Sequence, residues 1–176
     1  MHRSKVAPTG VERRLGADEL IVSKTDAKGV ITYANDVFCR IAAMREEDVV
    51  GQPHNVIRHP DMPRAVFKLL WDTIAAGQEI FAYVNNLAAD GANYWVFAHV
   101  TPSYDASGRI VGYHSNRRSP HRDAIAAVTP VYAALLAEEQ RHARASDGIA
   151  ASTALLGTTL VSAGLAYDEW VWTVTP

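Results

Sequence analysis

Two aromatic rings, two amides and a short cationic run are the side chains in this sequence best suited to hold a ligand. Phe67 and Trp71 lie four apart in a helical stretch and so share one face. Such a pair either packs a core or forms the wall of an apolar slot for a planar molecule. Arg58 and His59 directly precede Pro60 and Asp61, where a helix is expected to begin. Arg58 can grip a phosphate through two parallel N–H bonds, helped by the free N–H groups of that helix start, or it is a surface arginine. His59 can restrain the loop through its ring. Asp61 is first of all a helix cap, with Pro63 in the first turn. Asn35 and Asn86 carry amides that match both donors and acceptors. Asn86 falls on a strand, where an inward amide needs a partner. Its neighbour Asn85 points to the opposite face, so one of the two is expected to meet solvent.

The rest of the composition excludes several classes. No nucleophile–base pair, metal cluster or phosphate-binding glycine loop appears at a working spacing, so an enzyme is not expected. Adjacent Asp168 and Glu169 near the C-terminus read as a solvated pair. Cys39 is the only cysteine, which excludes an internal disulfide, a CxxC redox pair and a thiolate zinc site. With 48% hydrophobic and 20% charged residues among 176, the chain can bury a real core. A net charge of -2 gives no bulk attraction to nucleic acid or anionic membrane. The N-terminus is basic (His2, Arg3, Lys5, Arg13, Arg14) but lacks the apolar run of a secretory signal, and the expected compartment is the cytoplasm.

The elements that must position these residues follow from pattern. Residues 20–23 and 30–33 read as strands joined by a turn at 26–29, a hairpin. Asn35 or Asp36 can cap a short helix through Val37, Phe38 and Ile41. Residues 46–50 form an acidic helical turn stopped by Gly51. A longer helix runs to about Ala76 with Val66, Phe67, Leu70, Thr73 and Ile74 at helical spacing, and Gly77 ends it. Strands follow over 81–87, 94–101 and 110–117, joined by Asp- and Gly-rich hairpin turns. The order predicts an α+β fold: a five-stranded antiparallel sheet with short helices on one face and a C-terminal helical extension.

The expected divisions are an N-terminal arm or cap (1–17), a central α+β domain (18–118), a linker helix (119–146) and an apolar helical segment (147–176). The linker helix carries an apolar stripe of Ala124, Val128, Val131, Leu135 and Leu136 that can pair with a second copy. Pro130 should kink or interrupt it, and Asp147-Gly148 should break it. Residues 149–166 carry no charge but are diluted by Ser, Thr and Gly, so a packing helix is favoured over a membrane span.

The run Gly51-Gln-Pro-His-Asn-Val-Ile-Arg-His-Pro-Asp-Met-Pro63 closely resembles the signature of the PAS domain of Aer-type aerotaxis receptors. Tyr33-Ala34-Asn35-Asp36, Trp71, Asn86, Gly91 and Tyr94-Trp95 match as well. The resemblance covers about 20–118. It implies bound FAD whose redox change reports redox state or oxygen supply, as in aerotaxis and chemotaxis. By resemblance the cofactor-binding residues are Asn35, Arg58, His59, Asp61, Phe67, Trp71, Asn86 and Trp95. The membrane anchor, relay module and signalling hairpin of full-length receptors do not fit into this length. Blue-light relatives place a cysteine in the loop matched here by 51–57, which has none, so a photoadduct is not expected. Cys39 reads as a small buried hydrophobe.

Two other readings stay open. A haem gas sensor would need an axial histidine from His54, His59 or His99. A cofactor-free interaction module would use the same residues for packing alone. A homodimer signalling to a further protein is the expected assembly. The segment holding Tyr167, Trp170 and Trp172 is left to pack back on the linker helix, touch a membrane or bind a partner.

Overall fold

The structure, a computed structural model, describes residues 6–174. Strands β1 (Ile21–Asp26), β2 (Ile31–Ala34), β3 (Ile80–Leu87), β4 (Asn93–Tyr104) and β5 (Ile110–Arg118) form one sheet in the order β2-β1-β5-β4-β3. All neighbouring pairs are antiparallel. Helices α1 (Asp36–Ala42), α2 (Glu46–Val49) and α3 (Arg64–Ala75) lie between β2 and β3, with a 3-10 turn at His54–Ile57. Helices α4 (Arg122–Gln140), α5 (Ala145–Ala163) and α6 (Tyr167–Thr173) complete the chain. The predicted α+β layout and all five strands are present.

Local chemistry explains the early elements. Asp26 Oδ1 accepts from the backbone N–H groups of Lys28 and Val30, which closes the first hairpin with Gly29 at φ 80°. Asn35 caps α1 by accepting from Phe38 N at 3.0 Å. Phe38, Ile41 and Ala42 are thereby turned into the main core. In α3, Val66, Leu70 and Ile74 recur every fourth residue and are buried.

Several expectations are corrected. Asp61 does not cap α3: Pro63 holds the cap position, and the N–H of Ala65 is satisfied by Glu139 Oε1 at 3.0 Å, a carboxylate from the far end of α4. Such a long-range cap has no local sequence signal. Asp147 and Gly148 break nothing. They sit in the first turn of α5, and the chain turns instead before Ala145. Gly148 is needed there because a Cβ would lie 2.6 Å from the carbonyl oxygen of Glu139. Pro130 lies within α4 and does not interrupt it.

Three of the five stripe residues on α4 are turned into the fold, and Val131 and Leu136 stay half-buried. Ala124, Val128 and Leu135 are fully buried with Ile125 and Tyr132, and the Tyr132 hydroxyl donates to the carbonyl of Tyr83 on β3. Helix α5 packs on both α3 and α4, and α6 returns to β3. There Trp172 meets Phe81 and Phe97, with centroids 4.7 and 5.4 Å away, and Trp170 is buried. The C-terminal aromatic residues thus pack back on the sheet. No single helix among the described residues is long and apolar enough to cross a membrane; α5 and α6 together approach that length but bend by 67°. Of the basic N-terminus, His2, Arg3 and Lys5 lie outside the described residues. Residues 9–13 bond along the start of β4, through Thr9 to Gly91 and through Val11 and Arg13 to Asn93.

Candidate functional site

Side chains alternate across a strand, so each inner strand contributes every second residue to one face. On the face toward α3 these are Ser23 and Thr25 of β1, Tyr113, Ser115 and Arg117 of β5, Ala98 and Val100 of β4, and Val84 and Asn86 of β3. Phe67, Leu70, Trp71 and Ile74 of α3 stand opposite, and the loop before α3 adds His54, Asn55 and Arg58. They line an open-mouthed cleft between the sheet and α3.

The cleft is aromatic on its helix side. Trp71 meets Tyr113 edge to face at 5.5 Å and packs so closely on Gly29 that a Cβ there would lie 2.7 Å from the indole. The guanidinium of Arg58 covers the Phe67 ring at 4.2 Å and donates to the carbonyl of Met62.

The sheet side is polar, which is unusual for the centre of a sheet covered by helices. Arg117 is 3% exposed. Its Nη2 donates to Ser23 Oγ at 2.7 Å and to His54 Nε2 at 2.6 Å. Because arginine has only donors, His54 must accept at Nε2 and carry its proton on Nδ1. Burial, aided by the Arg117 charge, holds the His54 imidazole down to about 3. Burial likewise lowers Arg117 to about 10, so it remains a cation at neutral pH. No carboxylate pairs with it among the described residues.

Six buried side-chain polar atoms of the described residues lack a hydrogen-bond partner, and four line this cleft: Thr25 Oγ1, Asn55 Oδ1, Ser115 Oγ and Arg117 Nη1. A buried orphan costs about 1–3 kcal/mol, and native proteins tolerate few of them. Four in one cleft describe a surface made to be hydrogen-bonded by something else. Two donor-acceptor hydroxyls, an amide oxygen and a cationic N–H, beneath an aromatic wall, fit a planar heteroaromatic ring that carries carbonyl or ring-nitrogen acceptors and at least one N–H donor.

A second, more open groove adjoins the first and shares Asn55 and Arg58 with it. His59 and Arg64 line it, together with Glu139 and His142 from the α4–α5 corner.

Comparison with known proteins bears on what this site belongs to. Residues 31–117 match the PAS fold. The aerotaxis receptor of Escherichia coli (strain K12) is 41% identical over 121 residues, which is 69% of this chain and 24% of the receptor. Residues 31–117 form a PAS domain. The nitrogen fixation regulatory protein of Klebsiella pneumoniae is 30% identical over 97 residues, 55% of this chain and 20% of that protein. The chain thus spans about a quarter or less of these relatives' lengths. Among solved structures, the dark state of the blue-light photoreceptor Aureochrome1 LOV superposes with a TM-score of 0.53 at 26% identity, over 69% of this chain and 84% of that one.

Within the PAS domain the residues singled out by the sequence separate. Arg58, Phe67, Trp71 and Asn86 line the cleft. Asn86 faces inward and is 4% exposed, whereas Asn85, on the other face, is half-buried and accepts from Asn93 rather than meeting solvent freely. His59 is buried but lines the outer groove, its Nδ1 accepting from the backbone of Asp61. Asp61 itself is exposed.

Asn35 lies outside the cleft lining and its amide is spent: Oδ1 accepts from Val22 N and Phe38 N, and Nδ2 donates to the Leu20 carbonyl. Trp95 faces the opposite side of the sheet, where it stacks on Tyr132 at 6.3 Å. Of the histidines considered for an axial position, His54 spends Nε2 on Arg117, His59 spends Nδ1 on Asp61, and His99 meets Glu79 beyond the sheet.

Sequence reasoning missed Ser23, Thr25, Asn55, Tyr113, Ser115 and Arg117 as cleft residues. Their signal was present: Tyr113, Ser115 and Arg117 alternate, which puts three polar residues on one face of one strand. Cys39 is half-buried on α1 outside the cleft lining, its thiol pushed up first by burial and then by Glu46 and Asp36.

Proposed function

We propose that this PAS domain binds a flavin, FAD, and serves as a sensor of redox state or oxygen supply. The observation that carries the reading is the set of four orphaned polar atoms in a cleft walled by Phe67 and Trp71. The similarity to an aerotaxis receptor and the motif from Gly51 to Pro63 support it. A flavin supplies reversible electron transfer, with a change of protonation at its ring edge. Phe67 and Trp71 would flank the ring, and Thr25, Asn55, Asn86, Ser115 and Arg117 would meet its polar edges. The outer groove favours the dinucleotide over FMN. It continues from the cleft past Arg58 and offers Arg64 as a cation near a diphosphate, with His59 and His142 beside it; Glu139 Oε1 serves Ala65, and the two histidines lie against Asp61 and Glu138.

Signalling would leave through β5, which feeds α4 directly. A cytoplasmic homodimer acting on a further signalling protein completes the proposal.

The test is the absorption spectrum of freshly purified protein, followed by heat release and chromatography of the chromophore. Flavin bands with released FAD are expected. Trp71→Ala should weaken FAD binding at least tenfold, and Asn86→Ala should alter the redox response while the fold persists. A Soret band, or a colourless protein that cannot be reconstituted with FAD, would overturn the assignment.

A further inference from the structure

The buried cation in the cleft calls for an explanation that reaches beyond ligand binding. Arg117 is almost wholly removed from water, yet its contacts are a serine hydroxyl and a neutral imidazole. Its aromatic neighbour Phe38, 5.6 Å from the guanidinium, offers a weak cation–π contact at most. A buried charge without a counter-ion costs several kcal/mol. Replacing such a group by an apolar side chain of similar size is often neutral or stabilising, so a fold gains nothing from it unless something in the cleft repays the charge. Nη1 is the atom that can collect that return: it is buried, unpartnered and part of the cleft lining. Ser115, two residues earlier on the same face of β5, adds a second orphaned group.

We propose that Arg117 is the charge-setting residue of the cleft: Nη1 faces the acceptor edge of the bound ring and favours the ligand form in which that edge is negatively charged. The inference rests on the flavin reading. Reduction by two electrons and one proton adds one negative charge to a flavin ring. The electrons come from an external reductant and the proton from solvent. A fixed cation in a low-dielectric cleft binds that charged form more tightly than the neutral oxidised one, and so raises the reduction potential. Ser23 and His54 hold the guanidinium in place. Their hydrogen bonds fix Nη2 and leave Nη1 turned to the ligand. His54 is thus a positioning residue whose neutral ring adds no competing charge.

The test compares FAD-loaded wild type, Arg117→Lys and Arg117→Met by dithionite titration against a reference dye. Arg117→Met should prefer reduced FAD at least tenfold less than wild type does. For a two-electron couple that is a potential lower by about 30 mV or more. Arg117→Lys, which keeps the charge, should stay near wild type. Should Arg117→Met not retain FAD during titration, oxidised and reduced FAD are titrated separately onto the ligand-free variant. The loss of affinity must then be at least tenfold greater for the reduced form. Equal potentials in all three proteins, or equal losses for both forms, would overturn the role of Arg117 while flavin binding stood. If wild type takes up no flavin, the functional reading itself fails and this inference falls with it. Ligand-free Arg117→Met should melt no lower than ligand-free wild type; a large drop would mark the arginine as a structural strut instead.

Discussion

Asn35 and His54 show how far a side chain's type falls short of its role. Asn35 has the amide a ring edge would need, but both its atoms tie β1 to the start of α1. Asn35→Ala should therefore cost about 1–2 kcal/mol of stability in a urea melt while leaving FAD affinity within twofold. A loss of affinity without a loss of stability would return Asn35 to the ligand. His54 predicts a pH dependence. Its imidazole is held down to about 3 in the fold, against 6.5 for an ordinary histidine. Between those values the unfolded chain takes up a proton that the folded one refuses. The contribution is complete above about pH 6.5 and is lost as pH falls toward 3, at about 1.4 kcal/mol per pH unit. His54→Gln should flatten the fall in stability between about pH 6 and 4 by that slope. An unchanged slope would mean that His54 accepts a proton inside the fold.

Among the elements, the α4–α5 corner is the one whose sequence misleads. A glycine in a helical turn costs about 1 kcal/mol against alanine, so propensity alone predicts that Gly148→Ala stabilises α5. The packing predicts the opposite. A Cβ at Gly148 would press to 2.6 Å on the Glu139 carbonyl and to 3.2 Å on its Cα. The contact is with backbone, which cannot rotate away, and overpacking of this kind costs about 1–3 kcal/mol. The same residue, Glu139, caps α3 through Ala65. Gly148→Ala should lower the melting temperature and increase hydrogen exchange at the start of α3. A raised melting temperature would show that the two helices stand further apart.

At the scale of the molecule, both faces of the sheet are in use. One carries the cleft beneath α3, and the other takes up Tyr132 of α4 and Trp172 of α6 against Tyr83, Trp95, Phe81 and Phe97. Adjacent residues of β3 and β4 therefore look in opposite directions, with Asn86 and Ala98 toward the cleft and Phe81 and Phe97 toward the C-terminal helices. A shift of these strands is felt by cleft and helices alike, because the two share one backbone. The outer groove makes a second connection, since it is lined jointly by the loop before α3 and by the α4–α5 corner.

Element order, the antiparallel sheet and the pairing of Phe67 with Trp71 on one helix face were all legible in the sequence. They depend on local periodicity and on turn chemistry at residues such as Asp26, Gly29 and Gly77, which act over a few positions. The motif from Gly51 to Pro63 made the family legible as well. The charged centre of the cleft was not legible in this way. Arg117 meets Ser23 across 94 residues and His54 across 63, and alternation along β5 says only that Tyr113, Ser115 and Arg117 share a face, not which layer covers it. Whether an amide such as Asn35 is spent on the backbone depends on what the tertiary fold brings within hydrogen-bonding distance, here Val22 of β1 and Leu20 just before it, and no local pattern encodes that.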